Sequence, residues 1–431
     1  MSPEWIGLIG VLLLVVLLFM RVWVGTVMAV VGFLGFAYIT SFHSALQIIG
    51  AVPFSTIANE TVASVPLFIL MGVVVSNTGV AGDLYHTAYK WFGQFRGGLA
   101  MSTVMACGGF AAISGSSQAT VATMGKVALP EMEKYGYDSR MATGAVAAGG
   151  TIGILIPPSM GFILYGILTE ESIGKLFMAG IIPGLLEVLF YIGVVYILCW
   201  RNPLLGPAGP KTSFREKVAS LKHTWAMLAL FLLVMGGIYG GWFTPTEAGA
   251  VGAFGAIVIS AIAGKFTRKN FLASVLEAAQ TTAMMVYILA SAFIFMKFMA
   301  ISRLPDLLAN YISGLPFSSM HILMLIIFLY IVLGMFLDGP SAIVLTLPVL
   351  FPVILSLGFD PIWYGVLMVR VIEVGLITPP MGLNVFILSG VTKQPLGIIF
   401  RGIVPFFIAD ILHIILLILV PWVSLFLPGI M

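Results

Sequence analysis

Long runs of this chain carry almost no charge, and Trp5–Met20, Leu176–Trp200 and Ile322–Phe336 are three of many. Each is long enough to cross about 30 Å of hydrocarbon or to enter it deeply. Backbone in hydrocarbon has no water to bond, so only helices and closed barrels span it. Barrel strands show alternating segments of about ten residues, and no such alternation occurs here. The sequence therefore predicts an all-α polytopic membrane protein. Composition agrees: of 431 residues 60% are hydrophobic and 9% charged, against about a quarter charged in soluble domains. The first run, Trp5–Phe19, has no basic leader and no small-residue cleavage site, so it is expected to be a retained helix. Cys107 and Cys199 lie in different apolar segments, which supports neither a disulfide framework nor a thiolate metal site.

The net charge of +3 comes from Lys and Arg in short loops. That is a topology signal rather than a nucleic-acid footprint. The one long polar stretch, 201–222, is basic and proline-rich. It divides an N-terminal half, 1–200, from a C-terminal half, 223–431, and its Lys and Arg place it in the cytoplasm. Counting outward, Arg21, Lys90, Arg96, Lys134, Arg140, Lys265, Arg268, Lys269, Lys393 and Arg401 fall inside, with Lys175 and Arg303 outside. The map closes only if 97–130 and 320–357 each enter and leave by one face, as re-entrant helical hairpins. Their tips would be Ser114–Ser117 and Asp338–Pro340, where polar, Gly and Pro residues interrupt apolar runs. Non-helical backbone survives at that depth only beside protein or a water-filled cavity.

The halves are also related to each other. A displacement of 222 positions lays Pro130 on Pro352, Gly136 on Gly358, Asp138 on Asp360 and Gly153 on Gly375. It also lays Pro157 and Pro158 on Pro379 and Pro380, Gly180 on Gly402, and Pro183 on Pro405, without a gap. Five crossings separate the two hairpins on this map. An odd number inverts the second copy, so one hairpin opens inward and the other outward. Inverted repeats with broken helices at matching positions mark secondary transporters, with the site at the repeat interface.

The chemistry follows from the breaks, within 141–168 and 361–391. Proline removes a backbone donor and clashes with the preceding turn. Two adjacent prolines release carbonyls near Gly153 and Ile156, opposite Ser114, Ser116 and Ser117 of the first tip. In the second copy Gly375, Thr378 and Met381 face Asp338 and Gly339, and Thr378 adds a hydroxyl at the position of Ile156. Two quasi-symmetric cation sites are expected, built from neutral oxygens. A substrate would lie between the tips, where positive helix ends favour an anion. Ser116, Ser117, Ser159, Asp338 and Asn384 are candidate contacts, and Asp338 equally serves a cation or caps the helix after the tip. Arg370 and Glu373 stand three apart in an apolar helix. Either they neutralise one another or Arg370 meets the anion. Lys297 is open to similar readings, and the five scattered histidines show no metal-ligand spacing.

Three stretches carry a family resemblance: 236–248 (GGIYGGWFTPTEA), 114–120 (SGSSQAT) and 375–386 (GLITPPMGLNVF). The chain resembles, over essentially its whole length, the large membrane subunit (DctM-like) of tripartite ATP-independent periplasmic (TRAP) transporters. The resemblance implies an inverted-repeat elevator fold, with a scaffold and a transport domain carrying both hairpins, in the bacterial inner membrane. It implies Na⁺ as the driving ion, a periplasmic substrate-binding protein, and a small four-helix membrane subunit on a separate polypeptide. Carried over residue by residue, one Na⁺ site falls on Ser114, Ser117, Gly153, Ile156 and Pro158, and the other on Gly339, Gly375, Thr378 and Met381. The expected substrate is a carboxylate or sulfonate. The same architecture also serves stand-alone Na⁺-coupled anion symporters. An intramembrane enzyme needs a convergent nucleophile and base, which the sequence does not suggest, and Pro-broken hairpins argue against an open channel.

Overall fold

The computed structural model describes residues 1–264, 267–314 and 316–431; Lys265, placed inside by the charge count, lies outside them. The described residues form helices and connecting turns, with no strand. An N-terminal group comprises α1 (Pro3–Phe19), α2 (Val24–Ile39), α3 (Phe42–Ile57), α4 (Ser64–Asn77) and α5 (Val80–Phe92). The first hairpin is α6 (Gly98–Ser114) and α7 (Ser117–Lys134), and the first broken helix is α8 (Ser139–Leu155) and α9 (Met160–Thr169). Then come α10 (Ile173–Arg201), α11 (Phe214–Tyr239), α12 (Pro245–Ile262), α13 (Arg268–Ser302) and α14 (Leu304–Ser313). The second hairpin is α15 (Ser319–Phe336) and α16 (Gly339–Ser356), and the second broken helix is α17 (Pro361–Gly375) and α18 (Leu383–Thr392). The chain closes with α19 (Leu396–Leu419) and α20 (Trp422–Gly429).

Eight of the described helical segments are long and apolar enough to cross a membrane. Five of them, 139–169, α10, α11, α12 and α13, lie between the two hairpins. The polar stretch is less open than its composition suggests. The α10 helix runs through Arg201, and Ser213 Oγ accepts from Glu216 N at 3.3 Å to start α11. Only 202–213 falls outside α-helix, and it includes a 3₁₀ turn at Pro203–Leu205.

Repeat-related residues do the same local work. Gly136 and Gly358 both take left-handed backbone, with φ of 72° and 80°, a conformation costly for any residue with a Cβ. Two residues on, Asp138 and Asp360 both cap a broken helix, accepting from Arg140 N at 2.8 Å and from Trp363 N at 2.9 Å; each thereby satisfies a backbone donor the helix leaves open. Pro183 and Pro405 both lie inside long helices, α10 and α19. The Pro157–Pro158 and Pro379–Pro380 bonds are both cis.

The centre of the molecule is α8, whose apolar window is entirely buried. Its run of Ala and Gly lets other helices come close on every side, the usual way helices associate where the surroundings are equally apolar. It packs on α6, α7 and α19. One hydrophobic core ties the first hairpin and α8 to Ile377, Val385, Ile403 and Phe406 of the second copy. At the α8–α19 crossing the backbones nearly touch, and a Cβ on Gly402 would strike the Arg140 carbonyl. Gly402→Val should therefore cost at least about 3 kcal/mol, the top of the usual overpacking range. The expected result is loss of the monodisperse peak in detergent size-exclusion chromatography. Gly397→Ala on the same helix, where a Cβ meets nothing within 4 Å, should elute like the parent.

Candidate functional site

The first tip forms because Gly115, with φ of 56°, ends α6 in the left-handed conformation, the common helix stop. Ser116 then caps α7, its Oγ accepting from Ala119 N at 3.3 Å. The tip lies directly on the first break. A Cβ on Gly115 would sit 2.6 Å from the Pro158 carbonyl oxygen, and one on Gly153 would sit 2.6 Å from Ser117 N. Met160 N donates to Gly115 O at 3.5 Å. The α8 ladder closes with Ile156 N on Ile152 O. The next two carbonyls, of Gly153 and Ile154, would look to residues 157 and 158, both prolines without an N–H. Ser114, Ser117, Gly153 and Pro158 thus meet in one place. Ile156 packs its side chain toward Gly108 and Gly184.

The second copy closes its break differently. Thr378 N donates to Gly375 O at 3.0 Å and Asn384 N to Leu376 O at 3.1 Å, so the carbonyls released by Pro379 and Pro380 are taken up in a tight turn. The Thr378 hydroxyl donates to Val374 O at 2.6 Å. This break meets the second hairpin ahead of its tip. A Cβ on Gly375 would lie 2.5 Å from Gly334 Cα, and Gly382 N donates to Met335 O at 3.4 Å. Gly339 instead faces Ile154 of the first copy and Glu373. Met381 is half exposed.

Between the tips lies a cavity of about 430 Å³. Ser114, Ser116 and Ser117 line it from the first tip, and Asp338 and Gly339 from the second. The α4 and α13 helices supply Ser76, Glu277 and Thr281. The first residues of α7 and α16 border it, so two positive helix ends face the space. Among the described residues no Lys, Arg or His lines it. Asp338 occupies the N-cap position of α16. Ser159 does not line the cavity; it is fully buried and caps α9, its Oγ accepting from Phe162 N at 3.3 Å. Asn384 is fully buried too, and neither atom of its side-chain amide has a partner among the described residues. Lys297 is exposed on α13.

Arg370 is absent from the cavity wall, and it does not pair with Glu373. It is fully buried among other helices. Its guanidinium lies 3.0 Å from Glu187 Oε1 of α10 and 2.5 Å from Asp410 Oδ1 of α19, and Nε donates to His413 Nδ1 at 3.1 Å. Tyr191 donates to Asp410 at 2.5 Å and Thr151 to Glu187 at 2.9 Å. Glu373 turns the other way and accepts from Ser117 Oγ at 2.5 Å. A guanidinium with both flanks taken by carboxylates has little left for a ligand. The partners come from other helices, so spacing within α17 could not reveal them. A signal did exist: Glu187, Asp410 and His413 are ionisable residues inside apolar runs, which are rarely placed there without a role.

The model of the family "Tripartite ATP-independent periplasmic transporter, DctM component" matches residues 11–423. The chain belongs to this family. It is 40% identical over 382 residues to the C4-dicarboxylate TRAP transporter large permease protein DctM of Pseudomonas aeruginosa, covering 87% of this chain and 88% of that protein. It is 31% identical over 386 residues to the sialic acid TRAP transporter large permease protein SiaM of Vibrio cholerae, with 89% of each covered. It is 34% identical over 388 residues to the isethionate TRAP transporter permease protein DctMQ of Oleidesulfovibrio alaskensis, covering 89% of this chain and 60% of that one. Among solved structures, the YdaH transporter of Alcanivorax borkumensis superposes with a TM-score of 0.62 at 16% identity, covering 90% and 88% of the two chains. That likeness concerns the fold alone. This DctM-family chain is thus a multi-pass membrane protein and the large permease component of a TRAP transporter.

In this permease the buried ion network is a structural commitment. Removing one member of such a group costs about 3–5 kcal/mol, whereas replacing the whole group is often neutral. Arg370→Met alone should lower the detergent unfolding midpoint by that margin. Combining it with Glu187→Gln and Asp410→Asn should restore most of the loss. A single variant as stable as the parent would show that Glu187 and Asp410 do not need the guanidinium.

Proposed function

We propose that this chain is the Na⁺-coupled permease of a TRAP system in a bacterial inner membrane, importing a small carboxylate or sulfonate. One observation carries the proposal: a cavity between two helix-breaking hairpin assemblies, its mostly apolar wall set with helix ends, hydroxyls and carboxylates and with no basic side chain among the described residues. An anion entering it needs positive charge from elsewhere. Helix N-termini supply part, and a co-bound monovalent cation supplies the rest.

The residues at the first break fit such a cation, and those at the second offer the lone pairs their turn leaves over. Carbonyls released by unwound helices are the usual donors at these sites in secondary transporters. On the first copy Ser114, Ser117, Gly153, Ile156 and Pro158 would hold it, mostly through backbone oxygen. On the second, Gly339, Gly375, Thr378 and Met381 would do so, with Gly375 O keeping its second lone pair beside the Thr378 N–H. Ser116 and Asp338 are the proposed substrate contacts on the cavity wall, with Asn384 behind the second break. Halves 1–200 and 223–431 would be inverted repeats joined by a cytoplasmic linker. Both hairpins would be re-entrant and would ride together in an elevator movement against a scaffold braced by a small four-helix subunit. A periplasmic binding protein would deliver the substrate. Relatives named for a C4-dicarboxylate, isethionate and sialic acid align over most of the chain. A wall of helix ends and hydroxyls discriminates little among such anions, so the binding protein would make the selection.

Uptake into proteoliposomes tests this directly. The small subunit and binding protein would be present, with a panel of C4-dicarboxylates, isethionate and sialic acid. Accumulation should require an inward Na⁺ gradient, and K⁺ should not substitute. Ser117→Leu and Thr378→Leu should each reduce Na⁺-driven uptake at least tenfold, equivalent to about 1.4 kcal/mol or more, while the protein still inserts and purifies. Unaltered Na⁺ dependence in both variants would remove the site assignment. Full uptake by the chain alone would point to a stand-alone symporter.

A further inference from the structure

Glu373 is not among the cation or substrate residues assigned above, yet it joins the two halves at their centre. It is fully buried on α17, five residues before Thr378. Its Oε2 accepts from Ser117 Oγ of the first hairpin tip at 2.5 Å. Its Oε1 has no partner among the described residues and faces the second tip, 3.7 Å from where a Cβ on Gly339 would stand. One carboxylate thus has an oxygen on each tip.

A serine hydroxyl has one proton to give and two lone pairs to offer. To ligate a cation it must send the proton elsewhere. Within a helix the usual outlet is the carbonyl three or four residues back, and Thr378 takes that route to Val374 O. Ser117 is the first residue of α7, so it has no preceding helical turn to receive its proton. Glu373 is the acceptor it finds instead. The charge matters as well. Glu187, Glu373 and Asp410 are three fully buried carboxylates with one guanidinium among them, and that guanidinium is engaged by the other two. An unmatched carboxylate in such surroundings is costly and is eased by a cation held beside it.

We infer that Glu373 is a positioning residue shared by both cation sites: it orients the Ser117 hydroxyl, and its charge favours a monovalent cation at each tip. This rests on the cation assignment proposed above. Na⁺ titration of the purified full chain in nanodiscs, read as the shift in unfolding temperature against equal KCl, separates the two claims, because a ligand of the folded state stabilises it in proportion to its occupancy. The parent should show Na⁺-specific stabilisation. Glu373→Gln keeps an acceptor for Ser117 but removes the charge, and its Na⁺ midpoint should rise at least tenfold while its unfolding temperature in KCl changes little. A residue with a merely structural role would move the KCl value and leave the Na⁺ midpoint in place. An unchanged midpoint in Glu373→Gln, beside a responsive parent, overturns the inference alone. A parent indifferent to Na⁺ overturns the cation assignment and this inference with it. Should Glu373→Gln fail to give a monodisperse peak, Glu373→Asp, which keeps the charge but shortens the reach to Ser117, takes its place: a raised midpoint supports the inference and an unchanged one overturns it.

Discussion

Carbonyl oxygens that lose their amide partners where no bulk water can replace them govern this structure. In hydrocarbon each unpaired backbone group costs several kcal/mol, so a proline pair in the middle of an apolar helix forces an answer from its surroundings. Pro157 and Pro158 withdraw the donors for Gly153 and Ile154, and Pro379 and Pro380 do the same for Gly375 and Leu376. The two halves answer differently. In the second, Thr378 N and Asn384 N turn back and take up the oxygens. In the first, the hairpin tip presses its own backbone against the break. The cavity, the helix ends that face it and the carboxylate between the tips all follow from these two solutions.

Glycine makes the first solution sterically possible. Gly115 and Gly153 are where tip and break touch, and a Cβ at either would lie closer to the opposing backbone than side-chain carbons lie in practice. The same economy brings α8 onto α19 through Gly144 and Gly402. Helices surrounded by lipid gain little from burying apolar surface against one another, so they gain from close approach instead. In this way a run of small residues becomes the buried axis on which the first hairpin and α19 are assembled.

Much of this was legible in the sequence because proline and glycine act locally. Broken helices, hairpin tips and the repeat match of Asp138 with Asp360 need no knowledge of distant residues. Arg370 and Glu373 were left open for the opposite reason. Spacing along one helix shows only that helix, whereas Arg370 finds Glu187 and Asp410 on two others and Glu373 finds Ser117 far back in the chain. Ser159 invites the same mistake: a polar residue after a break reads as a ligand until its hydroxyl is seen capping α9. Composition marks polarity and not helix, so the start of α11 at Ser213, within the polar run, was not legible.

Two kinds of charge compensation coexist in the protein, and their separation is mechanistically useful. The Arg370 network is sealed from the cavity, its guanidinium shared between Glu187 of α10 and Asp410 of α19. It therefore holds the two copies of the repeat together whatever the cavity contains. The cavity and the Ser117–Glu373 contact instead carry carboxylates with no basic side chain paired to them among the described residues. A permanent basic clamp in the cavity would hold an anion strongly in every state and slow its release. Positive charge that arrives and departs with a bound cation strengthens anion binding only while both are present, which is the condition for coupling one gradient to another.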